Sequence, residues 1–92
     1  MKYFVYILFS KKDNEFYIGY TSDLQRRYKE HIQGQVPATR HRLPLHLLHY
    51  EVFIDQRDAK SREIFIKSGA GHKQLVTKLK HTLKCATSDV AH

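Results

Sequence analysis

Residues 17–31 read YIGYTSDLQRRYKEH, and the way this stretch changes character organises the whole chain. Tyr17 to Tyr20 is aromatic and β-branched, the composition of a strand. From Ser22 the pattern becomes helical. Ser22 is a candidate N-cap, with Gln25 three residues on in the position of a capping box. Leu24, Tyr28 and Ile32 then recur at i, i+4 and i+8, the spacing of a core-facing stripe. Arg27 and His31 precede two of those positions and line the edge of the stripe, whereas Arg26, Lys29 and Glu30 point outward. A strand-to-helix junction needs no such basic edge, so its chemistry has to be explained by something beyond the junction.

Upstream, residues 3–9 form a second aromatic and β-branched run. "SKKDN" separates it from residues 15–20, with turn chemistry in Asp13 and Asn14, which reads as a β-hairpin. Opposed residues share a face, so a four-residue loop from Ser10 to Asp13 sets Tyr6 against Tyr17. "MKYFVYILFSKK" resembles a signal sequence only superficially. It has no small-residue cleavage site and is expected to be a strand of a cytoplasmic protein.

Downstream, Gly34 ends the first helix. A basic loop, "QVPATRHRLP", follows, held by Pro37 and Pro44. "LHLLHYEVF" is a third strand, with Leu48, Tyr50 and Val52 on one face and His49 and Glu51 on the other. A second helix runs from about Asp55 to Lys67 and stops at "SGAG". A last helix from about His72 to Lys84 buries Leu75, Leu79 and Leu83. The order ββαβαα describes an α+β domain, a small three-stranded antiparallel sheet flanked by helices. One domain over residues 1–84 is expected, with 85–92 as a disordered tail.

Composition narrows the function. Sixteen Lys and Arg against nine Asp and Glu give a net charge of +7, which attracts polyanions, nucleic acid first among them, or serves solubility alone. No apolar run approaches the roughly 20 residues that span a bilayer. The single cysteine, Cys85, excludes an internal disulfide, and the seven histidines show no metal-ligand spacing.

Two features invite chemistry. In the second helix Ala59, Glu63 and Ile66 share a face, so a carboxylate sits on a packed stripe. It is either an i,i+4 partner of Lys67, worth ~0.2–0.5 kcal/mol, or a functional group, since carboxylates avoid apolar faces unless paired or metal-bound. Arg27 and His31 are either a solvated helix rim or a phosphate clamp, the guanidinium fork matching phosphate oxygens. Tyr6 and Tyr17 suit a core with wet hydroxyls as well as a site, and Gly19 suits a bulge or close packing.

Taken together, "FVY" at 4–6, "YIG" at 17–19, Arg27, His31 and Glu63 resemble the GIY-YIG nuclease superfamily, most closely its small single-domain bacterial members. "GQVPATRHRLPLHLLHYEVF" and "AKSREIFIKSGAGHKQLV" extend the likeness, which covers residues 3 to about 80. The first tripeptide departs from the signature, with Phe4 and Val5 in place of its glycine and isoleucine. Many members also carry a further DNA-binding domain.

The resemblance implies a DNA endonuclease using one divalent ion, Mg2+ or Mn2+, with Glu63 as its sole protein ligand. It implies Tyr6 as general base, alone or shared with His31, and Tyr17 orienting water or phosphate. Arg27 and His31 would be the cations that stabilise the Tyr6 phenolate, and Arg27 would offset transition-state charge. Gly19 is structural at the site. Thr39 would support the site or touch substrate, and Arg40, Arg42, Lys67 and Lys73 would bind substrate through backbone phosphates and therefore without reading sequence. Selectivity would then come from DNA structure or a partner protein, in a cytoplasmic, nucleoid-associated enzyme without a membrane partner. The competing readings are a DNA-binding module of the same fold that cleaves little, and a protein-interaction domain.

Overall fold

A computed structural model describes residues 1–87. Three strands, β1 (Tyr3–Ser10), β2 (Phe16–Thr21) and β3 (Leu45–Phe53), form one antiparallel sheet in the order β2-β1-β3. Helices α1 (Leu24–Ile32), α2 (Gln56–Lys67), α3 (Gly69–Lys78) and α4 (Lys80–Thr87) complete the fold, with a short 3-10 turn at Arg40–Arg42. This is the expected α+β architecture. Among the described residues no helix is long and apolar enough to cross a membrane.

The sheet carries cores on both faces. Val5 and Ile7 point to one side and pack with Ala59, Ile66, Leu75 and Leu79 of the α2–α3 layer. Tyr6 and Leu8 point to the other, against Leu45 and the half-buried Leu24 and Tyr28 of α1. Alternation along β1 therefore assigns odd residues to one layer and even residues to the other. Each fully buried Val, Leu or Ile contributes about 1.5–3 kcal/mol, so the central strand anchors both layers.

The hairpin register differs from expectation by two residues. Phe9 pairs with Phe16, Leu8 with Tyr17 and Tyr6 with Gly19. Ser10 extends β1: its N–H donates to Glu15 O at 3.0 Å, and its Oγ accepts the N–H groups of Lys12 and Asp13. Asn14 adopts the left-handed region, φ 57°, which no strand residue could keep. A shift of two preserves parity, so Tyr6 and Tyr17 still share a face, diagonally rather than opposed.

Helix α1 is capped by Asp23, not Ser22. The Asp23 carboxylate accepts the N–H of Arg26 at 3.1 Å, so the Ser22–Gln25 capping box is not used. Its end is a Schellman motif: Gly34, φ 74°, donates to His31 O and Gln35 donates to Glu30 O. The stripe is also rotated from expectation. Ile32 is 46% exposed, and the fully buried residue of α1 is His31.

A bulge in β3 corrects a second face assignment. The pairing steps from Ile7–His49 to Leu8–Leu47, leaving Leu48 opposite no residue. Leu48 consequently packs on the Val5 side, while Tyr50 and Val52 lie on the Tyr6 side. Glu51, on the Val5 side, accepts two bonds from Arg62 of α2 at 2.8 and 3.1 Å and one from His49 at 3.0 Å. Burial acts to raise the Glu51 carboxyl, but these bonds and the charges of Arg62 and Lys78 outweigh it and hold it at about 2.

The last helix of the sequence reading is two helices. "SGAG" does end α2, but Ser68 at once caps α3 by accepting the Gly71 N–H at 3.1 Å. Gly71 belongs there because a Cβ would stand 1.8 Å from the Phe65 carbonyl oxygen. The helix breaks at Leu79 and resumes as α4, which runs through residue 84 to Thr87. Leu75 and Leu79 are buried and Leu83 packs against them, as their spacing required. Residues 88–92 of the expected tail lie outside the described residues.

Candidate active site

The even face of β1, the start of β2 and the inner edge of α1 meet around Tyr6. Its ring crosses Gly19, where a Cβ would come 2.2 Å from Tyr6 Cζ. Only glycine leaves room for that crossing. The ring centroids of Tyr6 and Tyr17 are 6.5 Å apart, and His31 lies 5.6 Å from the first and 5.2 Å from the second. Helical phase brings the Arg27 charge to the Tyr6 side of α1, where its Nη1 donates to Glu30, and leaves Arg26 68% exposed. The two adjacent arginines thus have separate fates.

Tyr6 and His31 are fully buried and joined: Tyr6 Oη lies 2.9 Å from His31 Nε2. On its other side, His31 Nδ1 lies 2.8 Å from Thr39 Oγ1. Each ring nitrogen of His31 thus faces a hydroxyl that can donate or accept, and among the described residues His31 Nε2 is the one hydrogen-bond partner of the Tyr6 hydroxyl. Burial and the Arg27 charge press the His31 pKa down to about 4, so the ring is neutral and carries one proton.

This arrangement corrects part of the expected electrostatics. His31 is no cation and cannot stabilise a phenolate by charge. Burial raises the Tyr6 hydroxyl to about 12; nearby Arg27 opposes the rise, and the charges of Tyr17 and Glu63 add to it. Tyr6 is a protonated donor at rest.

Glu63 approaches from the other layer. It follows buried Ala59 by one turn on α2, its side chain is 19% exposed, and its charge reaches Tyr6. Lys67 Nζ donates to Glu63 Oε2 at 3.1 Å, so the i,i+4 pair is formed. Among the described residues no three His, Cys, Asp or Glu side chains gather as a metal cage. A single accessible carboxylate is nonetheless a donor set that suits Mg2+, which keeps most of its waters and accepts one or two carboxylates.

The expected substrate contacts divide. Thr39 is fully buried against His31 and has no surface to offer a substrate. Arg42 is engaged internally: it donates to both Asp13 carboxylate oxygens, at 2.6 and 3.3 Å, and to Phe16 O. It staples the loop to the hairpin, because the chain folds the distant Asp13 beside it. Arg40 is exposed beside His41, and Lys73 is exposed on α3 in the opposite layer. Lys67 remains at the site as the partner of Glu63.

Sequence reasoning missed Glu30, which accepts a bond from Arg27 Nη1 at 3.0 Å. Its i,i+3 spacing from Arg27 was the available signal. A groove of about 570 Å³ between α1 and β3, lined by Phe4, Leu24, Tyr28, Leu47 and Tyr50, contains none of these groups. Of the site's groups Tyr17, Arg27 and Glu63 keep part of their surface, while Tyr6 and His31 keep none to speak of.

Known proteins resemble this chain in sequence and fold. Residues 2–75 match the GIY-YIG catalytic domain. A UPF0213 protein of Haloquadratum walsbyi is 41% identical over 73 residues, 78% of this chain and 81% of that protein. A UPF0213 protein of Clostridium perfringens is 40% identical over 73 residues, 78% and 77% of the two chains. The solution structure of the UPF0213 protein from Bacillus halodurans superposes with a TM-score of 0.58 at 33% identity, covering 96% of this chain and 98% of that one.

Proposed function

The chain belongs to the GIY-YIG family, a nuclease superfamily, and from that premise we propose that it hydrolyses phosphodiester bonds in DNA with one divalent ion, Mg2+ or Mn2+. The observation that carries the reading is the buried row Tyr6–His31–Thr39, joined by contacts of 2.9 and 2.8 Å, with half-buried Tyr17 and the Arg27 charge beside it. A structural core has no need of an imidazole held between two buried hydroxyls with an arginine charge beside it.

The residues act as follows. Tyr6 takes a proton from the attacking water while passing its own to His31 Nε2, so the phenolate is never a resting species. A base of pKa about 4 is weak, but the Arg27 charge is one cause of that value. A bound phosphate beside Arg27 neutralises it and makes His31 the stronger acceptor. Arg27 leaves Glu30 to meet the phosphate oxygens with its fork of donors, where it also offsets charge as the transition state forms. Tyr17, beside His31, orients water or phosphate. Glu63 would hold the divalent ion, releasing Lys67 to a neighbouring phosphate; when bound, the ion supplies Lewis-acid stabilisation of the leaving oxygen.

Exposed cations, Arg40 and Lys73 among them, contact the backbone rather than bases, which favours selectivity for DNA structure or delivery by a partner protein. The cytoplasm, on the nucleoid, is the corresponding location. The resting protonation of Tyr6 favours a second reading, a DNA-binding module of this fold with little cleavage of its own.

The test is cleavage of branched, nicked and duplex DNA with Mg2+ or Mn2+, comparing wild type with Glu63→Ala and Arg27→Ala. Loss of cleavage in both variants with DNA binding retained supports the proposal. Cleavage that survives Glu63→Ala removes the one-ion assignment, and binding without cleavage in either metal selects the second reading.

A further inference from the structure

Thr39 sits where a substrate contact was expected, yet nothing outside the protein can touch it. It is fully buried, and its hydroxyl oxygen lies 2.8 Å from His31 Nδ1, on the far side of the imidazole from Tyr6. The segment that carries it is held at both ends. Thr39 N–H donates to the carbonyl of Val36, itself buried, and Thr39 O accepts the N–H of Arg42. Arg42 in turn is tied to Asp13 by its guanidinium and to Ser10 Oγ by its carbonyl, at 2.6 Å. The hydroxyl is therefore fixed relative to the sheet that carries Tyr6, independently of α1, which carries His31.

A neutral imidazole has two tautomers, and only one has its Nε2 lone pair facing a phenol. In the other, Nε2–H points at the Tyr6 oxygen, and that nitrogen is the hydroxyl's one hydrogen-bond partner among the described residues. The phenol proton then has no acceptor in the buried site.

We propose that Thr39 is a positioning residue that locks His31 in the Nδ1–H tautomer by accepting that proton, so that Nε2 is the acceptor for the Tyr6 proton. The inference rests on the reading of Tyr6 and His31 as the proton path above. It adds the group that decides the direction of the path. No group outside this path is needed: the Tyr6 O–H bond breaks as a water proton arrives, Nε2–H forms, and Nδ1–H stays with Thr39.

The experiment uses the full chain with nitrogen-15-labelled histidine. Long-range nitrogen–proton correlation reads the His31 tautomer at neutral pH in wild type, Thr39→Val and Thr39→Ser. Cleavage rate is followed against pH in parallel. Expected are the Nδ1–H tautomer in wild type and Thr39→Ser, and loss of that single tautomer in Thr39→Val. The cleavage rate falls on the order of tenfold to a hundredfold in Thr39→Val, with a displaced pH profile, and Thr39→Ser regains most of it. An Nε2–H tautomer in wild type, or an unchanged tautomer in a folded Thr39→Val, overturns the proposal. Equal impairment of Thr39→Ser and Thr39→Val also overturns it, because the methyl group and not the hydroxyl would then matter. Should wild type cleave nothing, the nuclease reading fails while the tautomer measurement still decides the role of Thr39.

Discussion

Substituting Gly19 by alanine tests the packing on which the site depends. The new Cβ would lie 2.2 Å from Tyr6 Cζ and 2.3 Å from Tyr6 Oη, whereas carbon atoms in contact sit about 3.5–4.0 Å apart. The phenol has to recede on the order of 1 Å, enough to carry its hydroxyl out of reach of His31 Nε2, now at 2.9 Å. Three terms set the outcome. Overpacking costs about 1–3 kcal/mol. A buried polar group left unpaired costs about 1–3 kcal/mol more. Restriction of the unfolded chain returns only ~0.4–1 kcal/mol. The net loss is roughly 1–5.5 kcal/mol, a fall of at least ~4 °C in Tm for a domain of this size. Urea and thermal melts read the stability, and NMR titration reads the site, with His31 leaving its value of about 4 for the ordinary imidazole range. Gly69→Ala is the internal control, since a Cβ there meets nothing within 4 Å. A Gly19→Ala protein that melts within ~2 °C of wild type, with His31 still titrating near 4, would refute the close packing of Tyr6 on Gly19.

Other outcomes follow from the same geometry. His31 has a folded pKa below its ordinary 6.5, so the unfolded chain binds more protons between about 4 and 6.5 and stability falls as pH drops through that window. The loss is at most ~3 kcal/mol, and His31→Gln should flatten it in urea midpoints taken from pH 7 to pH 4. Glu51 has its carboxyl held down at about 2, so its contribution is present above the usual carboxylate range and disappears as pH falls from about 4.5 to about 2. Glu51→Gln, which strips Arg62 of its anionic partner, should cost about 1–3 kcal/mol at neutral pH in a urea melt. Arg40→Ala should lower the slope of log affinity for duplex DNA against log salt by about one unit. Arg42→Ala should instead lower Tm with that slope unchanged, because its guanidinium is committed to Asp13.

Much of the site is local enough to read from the chain. The phase of one helix separates Arg27 from Arg26, and i+4 spacing carries His31 to the same edge. An even hairpin loop, of whatever length, leaves Tyr6 and Tyr17 on one face. Spacing alone also identified Glu63 as a carboxylate on a packed face, and the structure leaves it half-buried with Lys67 beside it. The misplacements have a common origin. The Asp23 cap, the Asn14 turn and the Leu48 bulge are choices among near-equal options for backbone hydrogen bonds, the first two closed within four residues and the third by pairing with β1.

By itself the sequence determined the order of elements, the leucine-lined helices, the family and the set of side chains near Tyr6. Those properties follow from periods of 2 and 3.6 residues and from motif spacing, which hold wherever the chain goes. Tertiary structure alone decided which of those side chains carry charge and which meet solvent. Burial strips His31 of its proton, raises the Tyr6 hydroxyl, seals Thr39 inside and turns Arg42 into a staple. Desolvation and long-range pairing arise only when residues distant in sequence come together, so no local pattern encodes them.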